Sequence, residues 1–287
     1  MRLKKSSKWR TKMSKLYKKI FFYTAFIALC TSNVTLAQQN KYVIQDSIFS
    51  KTLNEYRNYR VILPADYYPK SDKNFDVIYV LDGETVVNVV SPTHKIASDW
   101  AVIPRCIIVG IDNKFIDGVV MRDRDLLPTY YDKRAPLSGK ADNYIKFIKE
   151  ELMPYIDKTY ATSKFNTLFG HSHGGTFAIY SMAKEPNLFN AYITADPSLW
   201  WDSGYVTKLA KETLSASPDL NAKLFITGRK GKSYKGMGIN AMDIVLEENA
   251  PKTLVWKSIA YDNETHITIL LKTVYDGLKF VYQDYKK

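Results

Sequence analysis

Cysteine is almost absent from this chain: two in 287 residues, Cys30 and Cys106. A disulfide framework or a cysteine-based metal centre needs more thiols, so neither is expected. Histidine is nearly as scarce, with only His94, His171, His173 and His266. No apolar run reaches the roughly 20 residues that a membrane-spanning helix requires. No internal repeat, low-complexity tract or long linker interrupts residues 38–287, which predicts one domain. Acidic residues are missing from positions 1–37, which carry nine Lys/Arg, and this leader supplies most of the formal net charge of +12. The remainder holds 32 basic against 29 acidic residues, with no basic run interleaved with aromatics. That balance excludes a nucleic-acid binder. No metal site is indicated, and no cofactor is implied.

The leader itself is built like a secretory signal. Lys15, Lys18 and Lys19 precede an apolar run from Ile20 to Cys30, and Thr35-Leu36-Ala37 then supplies small residues where a signal peptidase reads. Cleavage after Ala37, leaving Gln38 first, is the expectation, with an exported, periplasmic or secreted product and no stable membrane insertion. Bulky Leu29 argues against acylation of Cys30. Cys106, inside the apolar stretch CIIVGI, reads as a buried small hydrophobe.

What is present in quantity is alternation of two periods. The stretches 42–50 and 56–64 read as two N-terminal strands joined by a turn near Asn54. Continuous apolar runs at 75–81 and 106–111 predict strands buried on both faces, and 165–170, 191–195, 223–228 and 254–261 continue the strand series. Helix-period stretches cover 144–156, 174–184, 205–213, 239–247 and 267–282. Strands alternating with helices predict an α/β fold, a mostly parallel sheet with helices on both faces. In such a sheet the ligand-binding residues follow the carboxyl ends of the strands.

The strand at 165–170 runs into Gly170-His171-Ser172-His173-Gly174-Gly175, a G-x-S-x-G pattern. Between strand and helix this pattern makes a sharp turn that lifts the serine hydroxyl above the sheet edge. Ser172 is therefore the candidate nucleophile, and it needs a base to take its proton. In this fold the histidine follows the serine along the chain. His173 belongs to the turn itself, which leaves His266, just past the last predicted strand, as the general base. His94 and His171 read as satisfied structural residues.

The order LDG (81–83), GI (110–111), RDRDLLP (122–128), the serine turn, ADPSLWWD (195–202) and ETH (264–266) resembles the esterase D-type family of α/β-hydrolases. That family includes S-formylglutathione hydrolases, feruloyl and acetyl-xylan esterases, trilactone siderophore esterases and mycolyltransferases. PSLWW is most similar to the siderophore-esterase branch. The resemblance implies an α/β-hydrolase fold over nearly all of residues 42–283. It also implies backbone N–H groups of Glu84 and His173 as oxyanion donors. General chemistry agrees, with one donor beside the nucleophile and one from an early strand–helix loop.

One departure stands out. Many members place a carboxylate just after the strand corresponding to KLFITG, but here Arg229-Lys230-Gly231-Lys232-Ser233-Tyr234 follows. Asp202 is the preferred substitute acid, ahead of Asp243, which falls in a helical stretch, and Glu264, too near His266 in sequence. A Ser–His dyad is the other option. Trp200, Trp201 and Arg124 are the expected substrate-binding residues. Arg122 shares the position of Arg124 beside the site by family analogy, and Tyr130 and Tyr131 extend an aromatic loop in the manner of a lid. The reading is an exported serine carboxylic ester hydrolase for small-molecule or saccharide esters, such as trilactone siderophores or feruloyl and acetyl sugars. An acyltransferase, or a non-catalytic binding module on the same fold, is the alternative.

Overall fold

A computed structural model describes residues 42–69, 72–131 and 135–286. The expected leader, residues 1–37, lies outside the described residues. From Gln45 onward the chain forms one compact unit. Its strands begin with β1 (Val43–Ser50), β2 (Glu55–Ile62), β3 (Phe75–Leu81) and β4 (Ile107–Ile111). A short hairpin, β5 (Phe115–Ile116) and β6 (Val119–Val120), follows, and β7 (Thr162–His171), β8 (Ala191–Ala195), β9 (Lys223–Arg229) and β10 (Val255–Tyr261) complete the set. The helices are α1 (Gly83–Asp99), α2 (Arg122–Leu126), α3 (Ala141–Phe147), α4 (Met153–Thr159), α5 (His173–Lys184), α6 (Trp201–Ala216), α7 (Lys232–Gly236), α8 (Ile239–Asn249) and α9 (Ile269–Val281). A π-helical segment, Ile148–Leu152, joins α3 to α4, so the predicted helix at 144–156 is wound more widely in its middle.

The sheet order is β1-β2-β4-β3-β7-β8-β9-β10. β2 is antiparallel to β4, and every pairing from β4 to β10 is parallel. The continuous apolar runs explain the centre: β4 and β8 are buried at every position, as strands covered on both faces must be. On one face Val86, Val87, Val90 and Ala97 of α1 meet Leu270, Val274, Leu278 and Val281 of α9 over Ile78, Val80, Ile108, Ile193 and Phe225. Among the described residues no helix is long and apolar enough to cross a membrane.

α1 was not expected from the sequence. Pro92 stands inside it, and its first half is rich in β-branched valines. Both disfavour a helix locally, and burial of the valine face against α9 and the sheet overrides them. His94 sits on that buried face, against the Pro104 carbonyl and the Cys106 amide. Cys106 is buried, as read. Both have structural surroundings.

Candidate active site

Six parallel strands deliver their carboxyl ends to one edge, and the register sets which residues meet there. His171 is level with Ala195 of β8, and Ala195 with Thr227 of β9. Ser172 and Asp196 therefore each leave a neighbouring strand one residue past the same level. Their amides complete the ladder, Ser172 N–H to the Ala195 carbonyl (2.9 Å) and Asp196 N–H to the Thr227 carbonyl (2.8 Å).

Ser172 alone joins β7 to α5, at φ 58° and ψ −119°. A non-glycine residue held there stores strain, on the order of 1–3 kcal/mol, that the surroundings must offset. Gly170 makes the turn possible, because a Cβ there would lie 2.1 Å from the Gly174 carbonyl oxygen. The Ser172 hydroxyl meets Ser198 Oγ at 3.3 Å. It does not bond directly to the imidazole in this state, and hydrogen bonds of this kind commonly tighten only with substrate in place.

His266, in the loop between β10 and α9, brings its Nδ1 to 2.6 Å from Asp196 Oδ2. Arg229 Nε donates to the same oxygen at 2.6 Å. Burial works to raise the Asp196 carboxyl, but the hydrogen bonds from His266 and Arg229 outweigh it, and the group is held below the ordinary carboxylate range. The loop is stapled to the serine turn by His171, whose Nε2 lies 2.6 Å from the His266 carbonyl and whose ring stands 4.5 Å from the His266 ring. Burial pushes the His171 ring down to about 4, so it stays neutral and donates from Nε2. His171 is thus a buried structural histidine, as read, and one placed against the candidate base.

The two expected oxyanion donors lie in first helical turns, Glu84 in α1 and His173 in α5. Amides there have no acceptor within their own helix. Their helices start beside one another: a Cβ on Gly174 would sit 3.3 Å from Asp82 Oδ2 and 3.5 Å from Leu81 Cβ. Arg122 fixes this approach with a fork onto Asp82 (Nε to Oδ1 2.6 Å, Nη2 to Oδ2 2.9 Å) and a third bond from Nη2 to the His171 carbonyl (3.1 Å). Asn113 ties the same loop from the other side, bonding Asp82 Oδ1 and both Glu84 carboxylate oxygens.

Three expected site residues, Asp202, Arg124 and Trp201, are placed otherwise. Asp202 does not reach His266; it lies in the kinked start of α6, where Asp202, Ser203 and Gly204 are all left-handed. Asp196 occupies the position against His266 instead, because it is the first residue past β8. Asp243 is held by Tyr234 (2.7 Å) and Glu264 by Lys272 (2.8 Å) and Thr268 (2.6 Å), so neither faces His266. Arg124 is engaged instead by a fork onto Glu55 (3.0 and 2.6 Å) and a bond to Asp125 (2.7 Å). Arg57 shares those two acids, so Arg124 belongs to a buried ion network.

Trp201 is 3% exposed, donates to Thr129 Oγ1 (3.1 Å), and packs between Tyr131 and the His173 ring, so it is a wall of the core. Trp200, 38% exposed, and Tyr130, 61% exposed, remain open to a ligand. Ser198, Arg229 and the Asp123–His173 contact (Nδ1 to Oδ1, 3.0 Å) had no signal in the sequence beyond lying after strand ends. Among the described residues no group of three or more His, Cys, Asp or Glu is clustered to hold a metal ion.

An eight-stranded, mostly parallel sheet with a strained serine turn and an Asp–His pair at its carboxyl edge is the arrangement of an α/β-hydrolase. Residues 50–264 match the family described as "Putative esterase", so the chain belongs to that esterase family and is a carboxylic ester hydrolase. Over 251 residues it is 28% identical to the ferri-bacillibactin esterase BesA of Bacillus subtilis, covering 79% of this chain and 86% of that one. An IroE-like serine hydrolase from Shewanella oneidensis superposes with TM-score 0.77 at 30% identity, over 85% of this chain and 81% of that one. The BES protein of Bacillus cereus superposes with TM-score 0.73 at 25% identity, over 84% and 96%.

Proposed function

We propose that this chain is an exported serine hydrolase that opens the ester bonds of siderophore trilactones through an acyl-enzyme. Ser172 Oγ attacks the ester carbonyl while His266 takes its proton and passes it to the leaving alcohol. Asp196 holds the imidazole in the productive tautomer and stabilises the imidazolium. The Glu84 and His173 amides receive the oxyanion, each contributing about 3–4 kcal/mol to the lowered barrier. Water then releases the acyl group, His266 acting again as base. The observation that carries the reading is the His266–Asp196 contact at 2.6 Å, one residue beyond the strand that adjoins the strained Ser172 turn. The substrate class is inferred from the relatives, which include a ferri-bacillibactin esterase.

Expression of the full chain with its leader provides the test. Protein recovered outside the cytoplasm is expected to begin at Gln38 and to open a catecholate trilactone. Ser172→Ala should lose at least about a thousandfold in kcat. Equal turnover by wild type and the Ser172→Ala variant sinks the mechanism, and recovery of an unprocessed chain sinks the export assignment.

A further inference from the structure

The end of β9 is occupied by a cation in this chain. Arg229 reaches across from there to the acid at the end of the neighbouring strand, and its Nε meets Asp196 Oδ2 at 2.6 Å. His266 Nδ1 meets that same oxygen at 2.6 Å, whereas the other oxygen, Oδ1, is buried without a hydrogen-bond partner. Asp196 is completely buried, and the Arg229 side chain is 24% exposed. A carboxylate with both donors on one oxygen cannot turn about Cβ–Cγ without breaking both bonds. The acid's orientation is therefore set jointly by a neighbouring strand end and by the histidine it serves.

We propose that Arg229 is a positioning residue of the hydrolytic machinery: it locks the Asp196 carboxylate against His266 and, as a permanent cation, tempers that carboxylate's pull on the imidazolium formed during the reaction. The inference rests on the hydrolase reading above. Its chemical consequence is exposed by removing the cation: without Arg229 the Asp196 charge acts on the imidazolium unopposed.

The other charged groups around His266 are compensated. Arg122, which holds the His171 carbonyl, is paired with Asp82, and Glu264 on the histidine's own loop is paired with Lys272 of α9. Lys230, next to Arg229, is paired with Asp262 past the end of β10. His171, from the end of β7, is buried and neutral above pH about 4. The Asp196–Arg229 couple thus dominates the local field.

The test compares Arg229→Gln and Arg229→Lys with wild type in pH profiles of kcat/KM on the trilactone. Loss of the cation in Arg229→Gln should move the acid limb up by about one pH unit and lower plateau kcat by about tenfold or more. Arg229→Lys keeps the charge but not the Nε geometry, so its limb should stay in place while kcat falls. A merely structural ion pair would change melting temperature and leave the limb where it was. Wild-type limb and kcat in Arg229→Gln overturn the proposal. If that variant does not fold, wild-type kcat in Arg229→Lys overturns it.

A second readout needs no turnover. The ring-proton NMR titration of His266, assigned against His266→Gln, should show the same upward displacement in Arg229→Gln. Absence of ester turnover in the wild type would sink the hydrolase reading, and this titration would still decide the role of Arg229.

Discussion

Asp196 and Asp202 lie six residues apart in one segment, yet only the first meets the histidine. Asp196 leaves β8 at φ 44° and turns into the sheet edge between Ser172 and Arg229. Asp202 opens a helix in the left-handed region and contributes to its kink. Asp196→Asn should therefore lower kcat by about 10²–10⁴, since an amide in place of the carboxylate favours the wrong imidazole tautomer. Asp202→Asn should stay within about threefold of wild type. Parallel kcat measurements check the pair, and the opposite ranking would return the acid role to Asp202. Asp196 was as visible in the sequence as Asp202; what the sequence did not show was which strand ends are neighbours. Arg124 and Trp201 carry the same lesson, because whether an arginine or a tryptophan faces ligand or core depends on partners such as Glu55 and Thr129, distant along the chain.

The strand–turn–helix unit around Ser172 was legible because its requirements are local. An apolar strand, two close-packed glycine positions and a helix start are all contiguous in sequence. Gly170→Ala tests the unit: its Cβ would meet backbone of Gly174 at 2.1 Å, so the turn must open. The expected cost is about 2–3 kcal/mol of stability together with a loss of kcat. Denaturant unfolding and initial rates measure both, and a variant with wild-type values of each would show that the turn is not tight. Helix α1 is the contrary case. Its proline and valines argue locally against a helix, and only the packed face of Val86, Val87, Val90 and Ala97 against α9 explains it. The β5–β6 hairpin was missed for a related reason: two-residue strands leave no period to read.

For the molecule as a whole, two buried histidines tie stability to pH. Burial pushes both His94 and His171 down to about 4 from an ordinary value near 6.5. The unfolded chain therefore binds more protons than the folded one between those values, and stability falls as pH drops from about 6.5 towards 4. Each ring contributes up to about 3 kcal/mol of that loss. The paired carboxylates act in the same direction at lower pH, since Asp196 and Glu55 are held below their ordinary values and lose their stabilising contribution as they protonate. Melting temperature measured from pH 7.5 to 4.5 should decline steadily, and His94→Gln should flatten the curve. A melting temperature constant over that range would contradict the burial of both rings.

The amino-acid sequence by itself determined the alternation of strands and helices and the serine turn, and it singled out His266 as the candidate base. Each follows from apolar period, glycine placement or chain order, which are properties of contiguous residues. Only the tertiary structure decided that Asp196 and not Asp202 meets the imidazole, that Arg229 shares its oxygen, and that Arg124 and Trp201 are enclosed. Those outcomes depend on the order of strands in the sheet and on contacts between distant segments, and a carboxylate's partner is chosen by the residues that fold around it.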